Sequence, residues 1–373
     1  MPSSQPGPSC QDIIQSLESL APLAFQETYD NSGFIVGDPQ STCTGVLCTL
    51  DATEEVIEEA IAKGVNLVVA HHPILFKATK GLTGKNYAEK ALIKAIQNKV
   101  VLYAIHTNLD NVMGGVNSRM AMALGLVDTQ VLQPRKDLLH LLITYVPEAY
   151  LAPVQSALFA AGAGEIGQYS ACSFHSPGTG GFTGSNQSNP FVGEPGKAHT
   201  EKEERVEVLV PRHLEKKVLK ALHNAHPYEE VAYYLIPVNN AHSTVGSGLM
   251  GRLPTPLLEQ DWLKKVQACF GLKALQHSPL LGKPVQKVAL CGGSGSFLSG
   301  AARAAGADVF LTADVKYHEF FDAENQLVIT SIGHWESEQF TIDLLFEHLQ
   351  AKFPTFAVLK STTVTNPVAY FMG

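Results

Sequence analysis

Leu67-Val68-Val69-Ala70-His71-His72-Pro73-Ile74-Leu75-Phe76 is the stretch on which the fold turns. From Val65 to Ala70 it is short and nearly all apolar, the pattern of a strand buried on both faces. It ends in two adjacent imidazoles and a proline. Ligands and catalytic groups gather at the carboxyl ends of strands in open α/β sheets. Neighbouring strand residues point to opposite faces, so His71 and His72 can share a site only where the strand gives way to a loop. Pro73 supplies that break and biases His72 toward an extended backbone.

Two further strands end in the same way. Val100–Ile105 is apolar and β-branched, and His106-Thr107-Asn108-Leu109-Asp110 follows it. Leu327–Ile332 is succeeded by Gly333-His334-Trp335-Glu336-Ser337-Glu338. His334 and Glu338 are four apart at the start of a helix and lie on one face of its first turn, whereas Glu336 points away. A cysteine-free His/Asp/Glu set suits zinc, iron, manganese or nickel. Three imidazole-bearing strand ends and two carboxylates are too many donors for one tetrahedral ion, so two ions per chain are expected. Each pair alone also fits a plainer role: a core histidine at 71–72, a hydrogen-bonded loop pair at 106 and 110, a surface pair at 334 and 338. Their recurrence at three strand ends favours metal.

The bulk numbers narrow the class. The chain has 373 residues and a net charge of −8, with 45% hydrophobic and 17% charged residues. That suits two or three globular domains. The acidic balance, without a Lys/Arg block, makes nucleic acid an unfavourable partner. Six dispersed cysteines, none in a C-x-x-C pair, suit a reducing compartment, and the N-terminus lacks signal-peptide features. No apolar run approaches the ~20 residues of a membrane helix. A cytoplasmic protein without membrane contact is expected.

Strand–helix alternation runs from the strand at 45–51, through a helix over 54–63 capped by Thr53 and another over 87–97, to the His106 strand. It predicts a mainly parallel sheet. The alternation resumes at 287–290, where Gly292–Ser296 reads as a tight strand-to-helix turn into a helix over 297–305. Between them the order is β-α-β-β-α-β, with a glycine-rich arm over 162–196. This is the order of a ferredoxin-like α+β domain. The fold expected is α/β, a two-lobed domain from residues 1–133 and 244–373, interrupted by an inserted domain at 134–243.

The motifs Asp30–Asp38, His71–Phe76, His106–Asn111, Cys291–Ser296, Thr312–Glu319 and Gly333–Glu338 resemble, in order, those of the NIF-three-like dinuclear metal-centre proteins, known as GTP cyclohydrolase 1 type 2 homologs. The middle segment is similar to the CutA/PII-like insert of the longer members. The resemblance implies metal ligands at His71, His72, His106, Asp110, His334 and Glu338. It also implies two divalent ions with carboxylate bridging, zinc foremost, and a toroidal homohexamer with its metal sites turned inward.

Two functions are compatible with this pattern. One is a metal-dependent hydrolase of a small substrate, a nucleotide among the candidates, with Glu336 or His318 as candidate general acid–base groups. The other is a non-catalytic metal-binding or regulatory scaffold whose insert senses a ligand or partner. The family name implies GTP cyclohydrolase chemistry, but no guanine-specific loop or Walker-type sequence is present. His226-Pro227-Tyr228-Glu229-Glu230 has no partner motif and reads as structural.

Overall fold

A computed structural model of the chain describes residues 7–77 and 79–371. It divides into two compact units, one built from the segments up to Gln133 and from Thr244, the other from Pro134–Ser243. The first is mixed α/β and holds two sheets.

One sheet has five strands, in the order Gly33–Val36, Val101–Ala104, Leu67–Ala70, Val46–Thr49 and Val358–Lys360. The Gly33–Val36 edge is antiparallel and the remaining pairs are parallel. The three central strands are buried along their whole length, which explains why each reads as an unbroken apolar run. Helix Glu54–Ala62 is opened by the Thr53 side chain accepting from Val56 N–H, and helix Tyr87–Gln97 by Asn86 accepting from Glu89 N–H. They bury Val56, Ile57, Ala60, Ala91, Leu92 and Ala95 against Leu47, Val68 and Leu102.

The other sheet has six strands, ordered Gln276–His277, Val328–Ile332, Val309–Ala313, Val285–Ser294, Gly246–Leu257 and Val127–Pro134. Its three inner strands from Val328 to Ser294 in that order are parallel, and Gly246–Leu257 and Gln276–His277 flank them antiparallel. Trp262, Val266 and Phe270 of helix Glu259–Phe270 pack with Met120 on one core, and Leu298 and Ala302 with Phe310 and Ile329 on another. The glycine run corrects the expectation of a turn. The strand continues through Gly292 and Gly293 to Ser294, its register against Val309–Ala313 shifting between Leu290 and Ser294. The turn is short, Ser296–Leu298, and the helix covers only Ser299–Ala304.

The unit Pro134–Ser243 contains strand Leu139–Pro147, helix Leu151–Ala160, strands Ser173–Thr183 and Ala198–Pro211, helix Glu215–Ala225 and strand Tyr233–Val238. The strands form one antiparallel sheet with the first and third in its centre. Both helices bury one face of it, where Leu142, Val146, Val206, Val208 and Val210 meet Val154, Leu158, Val218 and Leu222. Part of the glycine-rich arm, Ser173–Thr183, is therefore strand; the residues before it lead in from the helix and those after it connect the hairpin.

No helix among the described residues is long and apolar enough to cross a membrane.

Candidate metal centre

The Leu67–Ala70 strand stops one residue before His71. The backbone N–H groups of His71 and His72 still donate to Thr49 and Leu50 carbonyls, at 3.2 and 2.9 Å, while the chain bends enough to bring both rings to one place. Their centroids are 4.9 Å apart. His106 precedes the single turn Thr107–Asp110, which returns Asp110 to the same side. His334 opens the helix His334–Glu338 directly after Gly333.

The two sheets thus bring these six residues together. The His106 ring centroid lies 5.2 Å from that of His71 and 5.3 Å from that of His72, and the His334 centroid 5.3 Å from that of His72. Three triads have donor atoms within 4.8 Å of one another: His71, His72 and His106; His72, His334 and Glu338; His71, Asp110 and Glu338. Glu338 Oε2 is 2.9 Å from His72 Nε2 and 3.2 Å from His334 Nε2. His71 Nε2 is 3.9 Å from Glu338 Oε1 and 3.6 Å from Asp110 Oδ1. Glu338 therefore lies where one carboxylate can serve two ions.

Every imidazole is aimed from behind. His71 Nδ1 donates to the Ile105 carbonyl at 2.8 Å, His72 Nδ1 to Asp51 at 2.7 Å, His106 Nδ1 to Asp30 at 2.8 Å and His334 Nδ1 to Asp314 at 2.6 Å. These acceptors hold the proton on Nδ1 and turn Nε2 toward the cluster, the usual support of a metal-bound histidine. Asp51 and Asp314 were not singled out in sequence, although each closes an apolar strand run, LCTLD and FLTAD.

The charges are strongly coupled. Burial alone would raise Glu338, but hydrogen bonds from His334 and His72, with the His71 ring close by, hold it well below the usual carboxylate range. Burial, then the Glu338 charge, pushes Asp110 up to about 7. Burial opposes the charged form of His72 and His334, yet bonds to Asp51 and Glu338 lift the first to about 9, and bonds to Asp314 and Glu338 the second to about 11. His71 Nε2 and Asp110 Oδ1 are buried and make no hydrogen bond. A cation between them would satisfy both atoms, so the donor set fits a metal.

Gly293 explains the glycine run. At φ +60° it sits beside the cluster, and a Cβ there would lie 2.4 Å from Glu338 Oε1. Beside the cluster is a cavity of about 370 Å³, with Tyr29, Phe76 and Phe297 among its walls and no Lys or Arg among its described lining residues. Neither acid–base candidate lines it. Glu336 accepts from Asn366 Nδ2 at 3.1 Å in a neighbouring depression that His72 and His334 also border, and His318 lies against Tyr317 and Phe321 in the turn Tyr317–Ala323.

Residues 8–367 match the family model described as Duf34/NIF3 (NGG1p interacting factor 3). The chain is 38% identical over 326 residues to a GTP cyclohydrolase 1 type 2 homolog of Halalkalibacterium halodurans, covering 87% of this chain and 88% of that one. It is 38% identical over 314 residues to the protein of that name from Bacillus subtilis, covering 84% of each. A crystal structure of a Bacillus cereus protein related to NIF3 superposes with a TM-score of 0.84 at 35% identity, over 99% of this chain and 100% of that one.

Proposed function

The chain belongs to the Duf34/NIF3 family, and from that footing we propose that it is a dinuclear metal protein hydrolysing a small substrate in the cavity beside Glu338. The observation that carries this reading is the pair His71 Nε2 and Asp110 Oδ1, buried, facing each other at 3.6 Å and without a hydrogen bond. Leaving two such atoms unsatisfied costs roughly 1–3 kcal/mol each unless a ligand completes them.

His71, His72, His106, Asp110, His334 and Glu338 would hold the ions, with Glu338 as the shared carboxylate. A pair of divalent ions supplies Lewis acidity toward a substrate oxygen and makes water a competent nucleophile near neutral pH. Asp51, Asp30 and Asp314 keep the imidazoles in register, so the Nε2 atoms already face the cluster and binding would exchange their protons for the ions. Zinc fits the nitrogen-rich set first; iron, manganese and nickel remain compatible with it.

The cavity also speaks to the substrate. Its aromatic walls suit a small planar or apolar body, and its described lining offers no basic side chain for a polyphosphate. The relatives' name refers to GTP, but a triphosphate here would find only the ions to neutralise it. A small substrate of low negative charge is better served. Following the family resemblance, we also take the chain to act as a homohexamer with these cavities turned inward.

The test is to strip the purified protein with a chelator, reload it separately with zinc, manganese or iron, and assay hydrolysis of p-nitrophenyl esters, p-nitrophenyl phosphate and small cyclic amides. Turnover that rises with metal content and vanishes in Glu338→Ala supports the hydrolase. Two bound ions with no turnover above the stripped protein overturns it in favour of a metal-binding scaffold.

A further inference from the structure

His226–Glu230 contributes nothing to the metal centre, yet it borders another large cavity, wholly inside the unit Pro134–Ser243. Strand alternation decides what that cavity presents. The helices cover the sheet face carrying Val206 and Val208. The intervening residues Glu203 and Arg205 therefore project from the opposite face. Tyr145 and Ser176 flank Arg205 in register, and Gly178 pairs with Glu203. The connection between the hairpin strands adds Phe191, and Asn189 N–H donates to Glu229 at 2.9 Å, tying that connection to the HPYEE segment.

The result is a cavity of about 600 Å³, within the range of roughly 300–1,000 Å³ typical of small-molecule sites. Phe182 and Phe191 stand 6.4 and 6.2 Å from Tyr228, and Tyr145 meets Tyr234 edge-on at 6.4 Å. Three carboxylates line it, Glu203, Glu229 and Glu230, against one guanidinium. That guanidinium is already paired, Arg205 lying 2.8 Å from Glu207. The Glu203 carboxylate occupies the space above Gly180, where a Cβ would come within 2.0 Å of it. The Tyr228 hydroxyl is buried beside the Glu203 carboxylate, so the polar groups of the cavity sit together inside a wall of rings.

We propose that this cavity binds a small organic cation, an ammonium group carried on an apolar or aromatic body. Ring faces attract a cation through their quadrupole, most strongly when it is desolvated. Glu203 supplies the countercharge, the aromatic rings take the body, and the Tyr228 hydroxyl offers an acceptor. An anion would meet three carboxylates and a guanidinium already spoken for.

The experiment is calorimetric titration of the full chain with phenyltrimethylammonium, with benzoate as the anionic control and tert-butylbenzene as the neutral one of similar shape. Saturable binding of one phenyltrimethylammonium per chain is expected. Glu203→Gln and Phe191→Ala should each weaken it about tenfold, and stripping metal should leave it unchanged. Circular dichroism and the thermal midpoint establish that each variant is folded. Should Glu203→Gln not fold, Phe191→Ala, in the connection outside the sheet, carries the test. Benzoate or the neutral compound binding as well as the cation overturns the proposal. So does the absence of saturable binding up to millimolar concentration, the result expected if a second copy of the chain covers this face. Activity at the metal centre has no bearing on the outcome.

Discussion

His72 Nε2 and Glu338 Oε2 meet at 2.9 Å although 266 residues separate them in the chain. One comes from the end of a strand in the five-stranded sheet and the other from a helix following the six-stranded sheet. The candidate metal centre therefore exists only when both sheets are formed, and metal binding should report on tertiary structure as much as on ligand identity.

Elemental analysis should return two ions per chain, and substitutions should sort the glutamates. Asp110→Ala and Glu338→Ala should remove most of the metal. Glu336→Ala should leave it near wild type, because that side chain is engaged by Asn366 and belongs to none of the donor triads. Equal losses at 336 and 338 would reverse the assignment.

Removing an aspartate behind an imidazole should weaken the site without dismantling it. Asp51→Asn and Asp314→Asn are each expected to lower metal affinity by about 10–100-fold, read by competition with a chelator of known affinity. Unchanged affinity would mean that the 2.7 and 2.6 Å bonds to His72 and His334 do not orient those rings.

Gly293→Ala should act on both stability and metal. The residue adopts φ +60°, and its new Cβ would crowd Glu338 Oε1. A non-glycine residue in this region costs about 1 kcal/mol or more, and the displaced carboxylate should carry metal away with it. A variant with full metal content and an unchanged thermal midpoint would refute the close-approach argument.

A pH dependence should come from Glu59, remote from the metal. Its carboxylate accepts from Ser361 Oγ, Thr362 N–H and Oγ1, and Thr363 Oγ1 at 2.6–2.8 Å, and pairs with Lys63 at 2.6 Å. Burial opposes ionisation, but Lys63 and these donors outweigh it and hold the group far below its ordinary value of 4.5. A depressed folded-state pKa means the contribution is complete above the unfolded value and is lost as pH falls through the folded one. Urea unfolding should find Glu59→Gln less stable by roughly 1–2 kcal/mol near pH 7. The gap should narrow steadily as the pH falls below 4.5. A gap independent of pH would show that the charge of Glu59 contributes nothing.

The proposed homohexamer can be checked by light scattering, which should give six chains per particle. A monomer in solution would remove the closed-ring reading and leave the cavity beside Glu338 open to larger substrates.

Much of this protein was legible in its sequence, because the relevant signals are local. Val46–Thr49, Leu67–Ala70 and Val101–Ala104 are buried on both faces, and such strands must be written as apolar runs. The four-residue spacing of His334 and Glu338 sets both on one helical face, and the ordered motifs identified the family. Asp51 and Asp314 could not be assigned in this way. An aspartate at a strand end looks the same whether or not an imidazole from elsewhere in the chain lies against it. Nor did the Gly292–Gly293 run declare itself part of a strand, since its need for glycine comes from Glu338, delivered some 45 residues later by another element. Sequence by itself determined which residues stand at strand ends and what chemistry they can do. Tertiary structure alone decided which ends face one another, because spatial proximity across hundreds of residues is set by the packing of whole sheets and leaves no trace in local periodicity.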